Sequence, residues 1–330
     1  MKKLKTGLIG CGGFMRGMHV PNLKTSPYYT VHATCDLNEK AAESLCTELG
    51  AVYHTTDIEK LLKDPEIDVV VISTRHDTHA ELSVKAAEAG KHILCEKPMG
   101  LNIEECRKVA AAVKKNNVKY TVGYNRGMAP LVTKASNLLK DTKGKRMIYH
   151  RIQALFPADV WTHDPAVGGG RFVGEGCHIF DLICELVPSV PVSVYASGGT
   201  FLDPAKVKIP DSGIITITFK DGSVGTTLIN SFGNPDFPKE VTEIYCEGKI
   251  IYINDFKEMD CYGFDVNGKT STTLKQQDKG HKIEIEKLAL AILENGEPPN
   301  GIKNAIRAAL ISYLVNESIA TGKPVEIKLT

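Results

Sequence analysis

The sequence lacks an apolar run near the roughly 18 to 20 residues that a membrane-spanning helix needs. It lacks a charge excess: 40 Lys and Arg stand against 39 Asp and Glu, a formal net charge of +1. Without a basic stripe, neither nucleic acid nor an anionic membrane is expected as a partner. No Cys-x-x-Cys pair occurs among the nine cysteines, an odd and scattered set, which excludes a disulfide framework or a zinc ribbon. Reduced thiols and a cytoplasmic location are the expectation. The basic start Met1-Lys2-Lys3-Leu4-Lys5 runs at once into Gly7, Gly10, Gly12 and Gly13, too glycine-rich for the apolar part of a signal peptide. Tryptophan occurs once, at Trp161. What is present is ordinary globular composition, 42% hydrophobic and 24% charged over 330 residues, enough for two domains.

The first third alternates apolar runs with helical patterns. Residues 4–9 read as a strand that ends in Gly10-Cys11-Gly12-Gly13, and residues 14–23 can start a helix. This strand–turn–helix context is what a dinucleotide fingerprint needs. Gly10 permits the turn, Gly12 lets backbone amides approach a pyrophosphate, and the helix N-terminus favours its charge. The third glycine of the fingerprint is replaced by Met15, a large side chain for a helix–strand contact, with Gly13 as a partial substitute. A second strand, 30–35, ends at Asp36, near the usual offset for a carboxylate that accepts ribose hydroxyls. A free carboxylate repels a 2′-phosphate, and Leu37 and Asn38 follow it rather than arginine, so NAD is favoured over NADP. Asp36 also suits the N-cap of a helix over 38–49. Strands at 67–72, 91–94 and 119–122, separated by helices at 57–63, 77–89 and 103–116, complete a doubly wound α/β pattern.

The run His92-Ile93-Leu94 leads directly into Cys95-Glu96-Lys97-Pro98-Met99. Ligands of open α/β sheets sit at the carboxyl ends of strands, and a desolvated lysine there is a usable base. Taken alone, the same residues read rather as a solvated turn with one surface ion pair. From residue 146 the pattern changes to loosely alternating strands: 147–155, 192–196, 214–219, 224–229, 241–246, 250–254 and 324–327, with Asp221-Gly222 as a hairpin signal. Residues 127–141, 279–293 and 302–319 read as helices. The long stretch 156–170 holds two prolines, three glycines and Trp161, which reads either as a wall over a sugar ring or as a loop anchor in a small core. Glu175, His178 and Asp181 follow at intervals of three, so Glu175 and His178 are neighbours on a helix. Metal binding by Cys177, His178 and Cys184 is not expected, since adjacent residues diverge on a helix and a seven-residue gap is not a zinc spacing.

These pieces together resemble the Gfo/Idh/MocA oxidoreductases, the glucose–fructose oxidoreductase and inositol dehydrogenase family. The likeness is carried by Gly10-Cys11-Gly12-Gly13, Asp36, Ser73-Thr74-Arg75-His76-Asp77-Thr78-His79-Ala80, Glu96-Lys97-Pro98, Gly168-Gly169-Gly170 and Gly176-Cys177-His178-Ile179-Phe180-Asp181. It implies a Rossmann domain, placed here at residues 1–123, and a C-terminal α+β domain with a large, mostly antiparallel sheet at 124–330. It implies that Gly10, Gly12, Gly13, Phe14 and Met15 form the pyrophosphate turn of an NAD site. Asp36 then takes the adenosine ribose, while Thr74, Arg75, His79, Glu96 and Asn125 line the nicotinamide half. Lys97, often before a cis proline bond, is implied as the proton acceptor and donor, and His178 as its helper. The family's usual aspartate four residues before that histidine is Gly174 here, which leaves His178 working alone or with Glu175.

The expected reaction moves a hydride between NAD and a secondary alcohol of a sugar, sugar derivative or cyclitol. Arg126, Trp161, His163, Arg171, Glu175 and Asp181 are the candidates for holding substrate. A free lysine near pKa 10.4 is a poor base at neutral pH, so roughly two to three units of depression are needed. Two rival readings share the fold: a glycosidase that oxidises transiently, eliminates and reduces again, and a non-catalytic NAD-sensing regulator. A sheet with few helices on one face has to bury the other, so a homodimer or homotetramer is expected.

Overall fold

Continuous apolar runs in the first third become the buried centre of a parallel sheet. The structure is a computed structural model describing residues 3–329, and the chain divides into two compact units. The first unit comprises Met1–Tyr124 and His281–Ile306, the second Asn125–Gly280 and Arg307–Thr330.

In the first unit six strands run β1 (Leu4–Ile9), β2 (Tyr29–Cys35), β3 (Tyr53–Thr55), β4 (Val69–Ile72), β5 (His92–Cys95) and β6 (Tyr120–Val122). They pair in the order β3-β2-β1-β4-β5-β6, every pair parallel. All four residues of β4 are buried, as a strand covered on both faces requires. Strand order reverses between β1 and β4, the place where such sheets leave a ligand crevice at their carboxyl ends. The expected helix after the glycines starts as a π-helical turn, Met15–His19, and continues as α1 (Val20–Thr25). Asp36 is not the N-cap of α2 (Glu39–Leu49): Asn38 is, its side chain accepting the Ala41 amide. Helices α3 (Ile58–Lys63), α4 (His79–Glu88) and α5 (Ile103–Asn116) complete the layers. The short edge strand β3 has no apolar run behind it and is not foreseen from the sequence.

Helix α8 (His281–Leu293) belongs to this first unit, although the sequence reading groups 124–330 together. Its Ile285, Leu288 and Ala289 enter the same buried cluster as Leu8, Val69 and Leu94. Burial of two such large aliphatic side chains contributes about 1.5–3 kcal/mol each. Tyr29 adds a hydrogen bond from its hydroxyl to the Ile285 carbonyl at 2.6 Å.

The second unit is built on a nine-stranded sheet. Its strands are β7 (Met147–Gln153), β8 (Pro191–Gly199), β9 (Ser212–Phe219), β10 (Val224–Asn230), β11 (Glu240–Cys246), β12 (Lys249–Asn254), β13 (Glu258–Asp265), β14 (Gly268–Thr273) and β15 (Val325–Glu326). The order is β14-β13-β12-β11-β7-β10-β9-β8-β15, antiparallel except for β7 with β10. Alternation sets the faces: Ile215, Ile217 and Phe219 of β9 point inward and are buried, while Ile214 is outward and exposed. The inward face packs against α6 (Pro130–Leu138), α7 (Cys177–Leu186) and α9 (Ile302–Thr321), through Phe180, Ile183, Ile311 and Val315 among others. Tyr195, Ile214, Tyr245 and Tyr262 stand exposed on outward positions. Strands β13 and β14 are additional to the sequence reading; β14 is too polar for an alternating pattern to show. Among the described residues no helix is long and apolar enough to cross a membrane, and no His/Cys/Asp/Glu group is placed to hold a metal ion.

Candidate functional site

The glycine turn is shaped by steric necessity at one position and by open space at two others. Gly10 has φ +88, and a Cβ there would lie 2.4 Å from the Ser73 carbonyl oxygen. A Cβ on Gly12 or Gly13 would meet nothing within 4 Å, so the turn leaves a cradle in front of its backbone. No side chain caps the helix that follows, which leaves its first amides open to an anion. Met15 is fully buried and Phe14 is exposed. Asp36 stands at the end of β2 with Oδ2 accepting the Cys11 amide at 2.7 Å and Oδ1 the Asn38 amide at 2.8 Å. Both oxygens keep lone pairs for a further donor. Arg16, in the π-helical turn, is already committed: it donates to the Cys11 and Ala41 carbonyls and pairs with Glu48 at 2.8 Å. These residues fit a dinucleotide with a free ribose and offer no unpaired arginine to a 2′-phosphate.

The Glu96-Lys97-Pro98 stretch leaves the carboxyl end of β5 with a cis bond between Lys97 and Pro98. Glu96 is buried, and Oε1 meets Nε2 of His19 at 2.8 Å. Burial pushes the Glu96 carboxyl up, but the hydrogen bond and charge of His19, with the nearby Lys97 and His281, outweigh it and hold the group below its ordinary value. Glu96 is therefore a fixed negative neighbour of Lys97, which is half-buried. His79 is wholly enclosed; its Nδ1 lies 2.9 Å from the Pro98 carbonyl and its Nε2 3.2 Å from the Thr74 carbonyl. Burial lowers its pKa, so the ring is neutral and has one N–H for two acceptors. It ties the loop after β4 to the proline of the lysine turn. Thr74 meets the Thr78 hydroxyl at 2.7 Å, and Arg75 is exposed beside Asp77.

The second unit carries its own cluster. Gly169 and Gly170 both have positive φ, and a Cβ on Gly168 would lie 2.3 Å from Thr162, so only glycines make this turn. It delivers Arg171 into a π-helical turn, Phe172–Gly176, which continues as α7. His178 is buried in the first turn of α7. The π-helical turn takes Glu175 off a regular α spacing, and Glu175 Oε1 accepts from Arg126 Nη2 at 2.9 Å. Arg126 lies in a 3₁₀ turn, Asn125–Met128, and donates also to Glu240, Nε to Oε2 at 2.6 Å and Nη2 to Oε1 at 3.0 Å. Lys279 is a further donor to Glu240, and Asn125 donates to the Lys279 carbonyl. Burial would raise the Glu240 carboxyl, but the charge and hydrogen bonds of Arg126, with the Lys279 charge, hold it well below the usual carboxylate range. His150 Nε2 stands 3.7 Å from Glu240, too long for a hydrogen bond, and burial keeps that ring neutral.

Asp181, one turn beyond His178, is fully buried beside Arg307 at 3.6 Å. The Arg307 charge is drawn instead to Glu185 at 2.7 Å, and burial pushes Asp181 well above the usual range. Trp161 is 43% exposed, so it is not a buried loop anchor. The loop 156–170 is held from within: the Asp164 carbonyl accepts the amides of Val167, Gly168 and Gly169. His163 packs edge-on against Phe156 at 5.9 Å, and the Arg171 guanidinium lies over the same ring at 4.2 Å.

Sequence reasoning misses His19 in the first unit and Glu240, Lys279, His150 and Lys239 in the second. A signal exists for two of them. Glu240 shares the inward phase of Thr242, Ile244 and Cys246 along β11, and His150 shares that of Ile148 and Ile152 along β7. A charged or polar residue at an inward position has to find partners.

Two family models match the chain. One, described as an oxidoreductase family with an NAD-binding Rossmann fold, matches residues 4–124; the other, a GFO/IDH/MocA C-terminal domain, matches residues 146–252. The scyllo-inositol 2-dehydrogenase (NAD(+)) of Bacillus subtilis is 31% identical over 326 residues, covering 94% of this chain and 92% of its own. The myo-inositol 2-dehydrogenase of Thermotoga maritima is 24% identical over 334 residues, covering 98% and 99%. Among solved structures, levoglucosan dehydrogenase in complex with NADH is similar with a TM-score of 0.91 over the whole of both chains at 24% identity, a likeness of fold.

Proposed function

Because the chain belongs to the Gfo/Idh/MocA oxidoreductase family, we propose that it moves a hydride between NAD and a secondary alcohol of a sugar, sugar derivative or cyclitol, with Lys97 taking and returning the hydroxyl proton. The observation that carries this reading is Lys97 itself, half-buried at the carboxyl end of β5, in the unit that presents the open glycine turn.

The backbone of Gly10, Gly12, Gly13, Phe14 and Met15 would hold the pyrophosphate, and Asp36 the adenosine ribose. Thr74, Arg75, His79, Glu96 and Asn125 are the proposed surroundings of the nicotinamide half, with His79 acting through the loop it holds. When bound, NAD supplies the hydride acceptor. Lys97 Nζ accepts the hydroxyl proton as the C–H hydride leaves, and in reverse the ammonium gives that proton to the forming alkoxide. Glu96 does not compete for this proton, since His19 keeps it ionised. His178 is proposed to hydrogen-bond the reacting hydroxyl. A second copy of the chain is proposed to cover the outward face that exposes Tyr195, Ile214, Tyr245 and Tyr262. The nine buried free thiols suit a reducing, cytoplasmic setting.

The test is NADH formation from a panel of hexoses, uronates, inositols and glycosides, for the wild type and Lys97→Ala. Turnover should fall roughly 10²–10⁴-fold in the variant while NADH binding, followed by fluorescence, is kept. Near-wild-type turnover would remove Lys97 from the chemistry. Cleavage of a nitrophenyl glycoside with no net NADH would favour the redox-neutral glycosidase instead.

A further inference from the structure

We infer that the second unit holds an anionic oxygen group of the substrate, a carboxylate or a phosphate, with Arg171 as its principal partner. This rests on the reading above that the substrate is a sugar or cyclitol, and it narrows that class to acidic members.

Arg171 is 4% exposed. Its Nε donates to Ser231 Oγ at 3.1 Å, and one face of the guanidinium is covered by Phe156. Nη2 is buried with no hydrogen-bond partner, and Nη1 makes no hydrogen bond within the described protein but is not closed to solvent. An enclosed guanidinium with most of its five donors unused is costly unless something pairs with it. No described residue supplies that pair. Glu175, Asp211 and Glu240 are the carboxylates it senses, and none lies within ion-pair distance. Each is spent elsewhere: Glu175 on Arg126, Glu240 on Arg126 and Lys279, and Asp211 on the amides of Phe201 and Leu202 and the Ser212 hydroxyl.

The neighbouring charges pair among themselves and leave Arg171 out. Arg126, Arg171, Lys239 and Lys279 lie among Glu175, Glu240 and Asp211, and the Asp255 carboxylate accepts the Lys239 and Glu240 amides. The two enclosed histidines add no charge, because burial keeps His150 neutral and burial with the Arg171 charge keeps His163 neutral. Neither ring nitrogen of His163, which packs edge-on against Phe156, meets a partner among the described residues. The Lys239 ammonium has no ion pair among the described residues, and burial lowers its pKa although the residue as a whole is exposed. A hydroxyl could accept from Arg171, but only an anion would also answer its buried charge. The planar fork of a guanidinium matches the paired oxygens of a carboxylate or phosphate.

The experiment uses the NADH-loaded full chain and isothermal titration calorimetry on matched series: glucose, glucuronate and glucose 6-phosphate; galactose, galacturonate and galactose 6-phosphate; myo-inositol and its monophosphate. In at least one series an acidic member should bind roughly 10–150-fold more tightly than its neutral parent, the range of a hydrogen bond to a charged group. The carboxylate and phosphate arms identify which anion is taken. Arg171→Gln should abolish the preference and Arg171→Lys should lose most of it, with NADH affinity unchanged as the check on folding. Lys239→Gln, at an exposed residue, should weaken the acidic ligand about two- to fivefold. The inference is overturned if no acidic member outbinds its parent, or if the preference survives in Arg171→Gln. NADH formation from neutral sugars without any acid preference would sink this inference and leave the dehydrogenase reading standing. An Arg171-dependent preference with no NADH formed from any member would do the reverse.

Discussion

Replacing Glu240 by glutamine removes one negative charge from the centre of the second unit while keeping shape. In the wild type this carboxylate has no exposed side-chain surface and takes both Arg126 contacts and Lys279. Breaking a buried ion pair from one side typically costs about 3–5 kcal/mol, because the other charge is left uncompensated. The lower end applies here: Arg126 keeps Glu175 at 2.9 Å, and the Lys279 side chain, 15% exposed, can recover some hydration. A loss of about 3 kcal/mol corresponds to a fall in Tm of roughly 6–12 °C for a unit of this size. Thermal melts by circular dichroism at several pH values give the measurement. Glu243→Gln is the control, since Glu243 lies on the same strand at a solvent-reaching position and accepts from the Tyr245 hydroxyl rather than from a cation. The sign with pH follows from the direction of the shift: a carboxylate held below its ordinary value stabilises the fold above the unfolded pKa and loses that contribution as pH falls through the folded value. The gap between wild type and Glu240→Gln should be full at pH 7 and pH 5.5 and should close only below about pH 4.3. A gap under about 2 °C at pH 7, against the expected loss, or one that widens on acidification, would refute the reasoning.

Gly10→Ala should fail to fold or melt well below wild type, since its φ of +88 and the Ser73 carbonyl leave no room for a Cβ. Gly13→Ala should melt with the wild type yet bind NADH more weakly, because its Cβ fills only the open cradle; unchanged NADH affinity by fluorescence titration would place the cofactor elsewhere. Asp181→Asn should raise Tm at pH 7, because burial lifts this carboxyl and the wild-type fold loses stability as pH rises past the unfolded pKa. The advantage should vanish below about pH 4. Cys11, Cys95 and Cys184, pushed by burial up to about 12, should react with iodoacetamide at pH 8 roughly 10³-fold more slowly than in the unfolded chain, as read by mass spectrometry; rapid labelling of Cys95 in the folded protein would contradict its enclosure.

Local pattern carried much of the first unit. Val69–Ile72 and His92–Cys95 are legible because strands covered on both faces have to be apolar throughout, and the glycine turn because backbone approach leaves few residue choices. The lysine turn is legible because charge at the end of a buried strand is unusual. Strands β3 and β14 escaped for the opposite reason: three residues at one edge and a polar strand at another bury too little to impose a pattern. The grouping of α8 with the first unit rests on Ile285 and Leu288 meeting strands nearly two hundred positions earlier, which no local period encodes.

The charged cluster of the second unit shows the same limit in its chemistry. Arg126 and Arg171 look interchangeable in sequence, two arginines next to site motifs, and both read as holders of substrate hydroxyls. Their surroundings make them opposites. Arg126 reaches across 114 positions to Glu240 and 49 to Glu175, and two carboxylates saturate its charge. Arg171 finds a serine hydroxyl and an aromatic ring, neither of which carries a charge. Burial acts on both, yet it is compensated only for Arg126, whose charged form is held more firmly than usual, while that of Arg171 is weakened. Charge and burial together therefore assign Arg126 to the framework and leave Arg171 as the arginine whose charge can be answered from outside the chain.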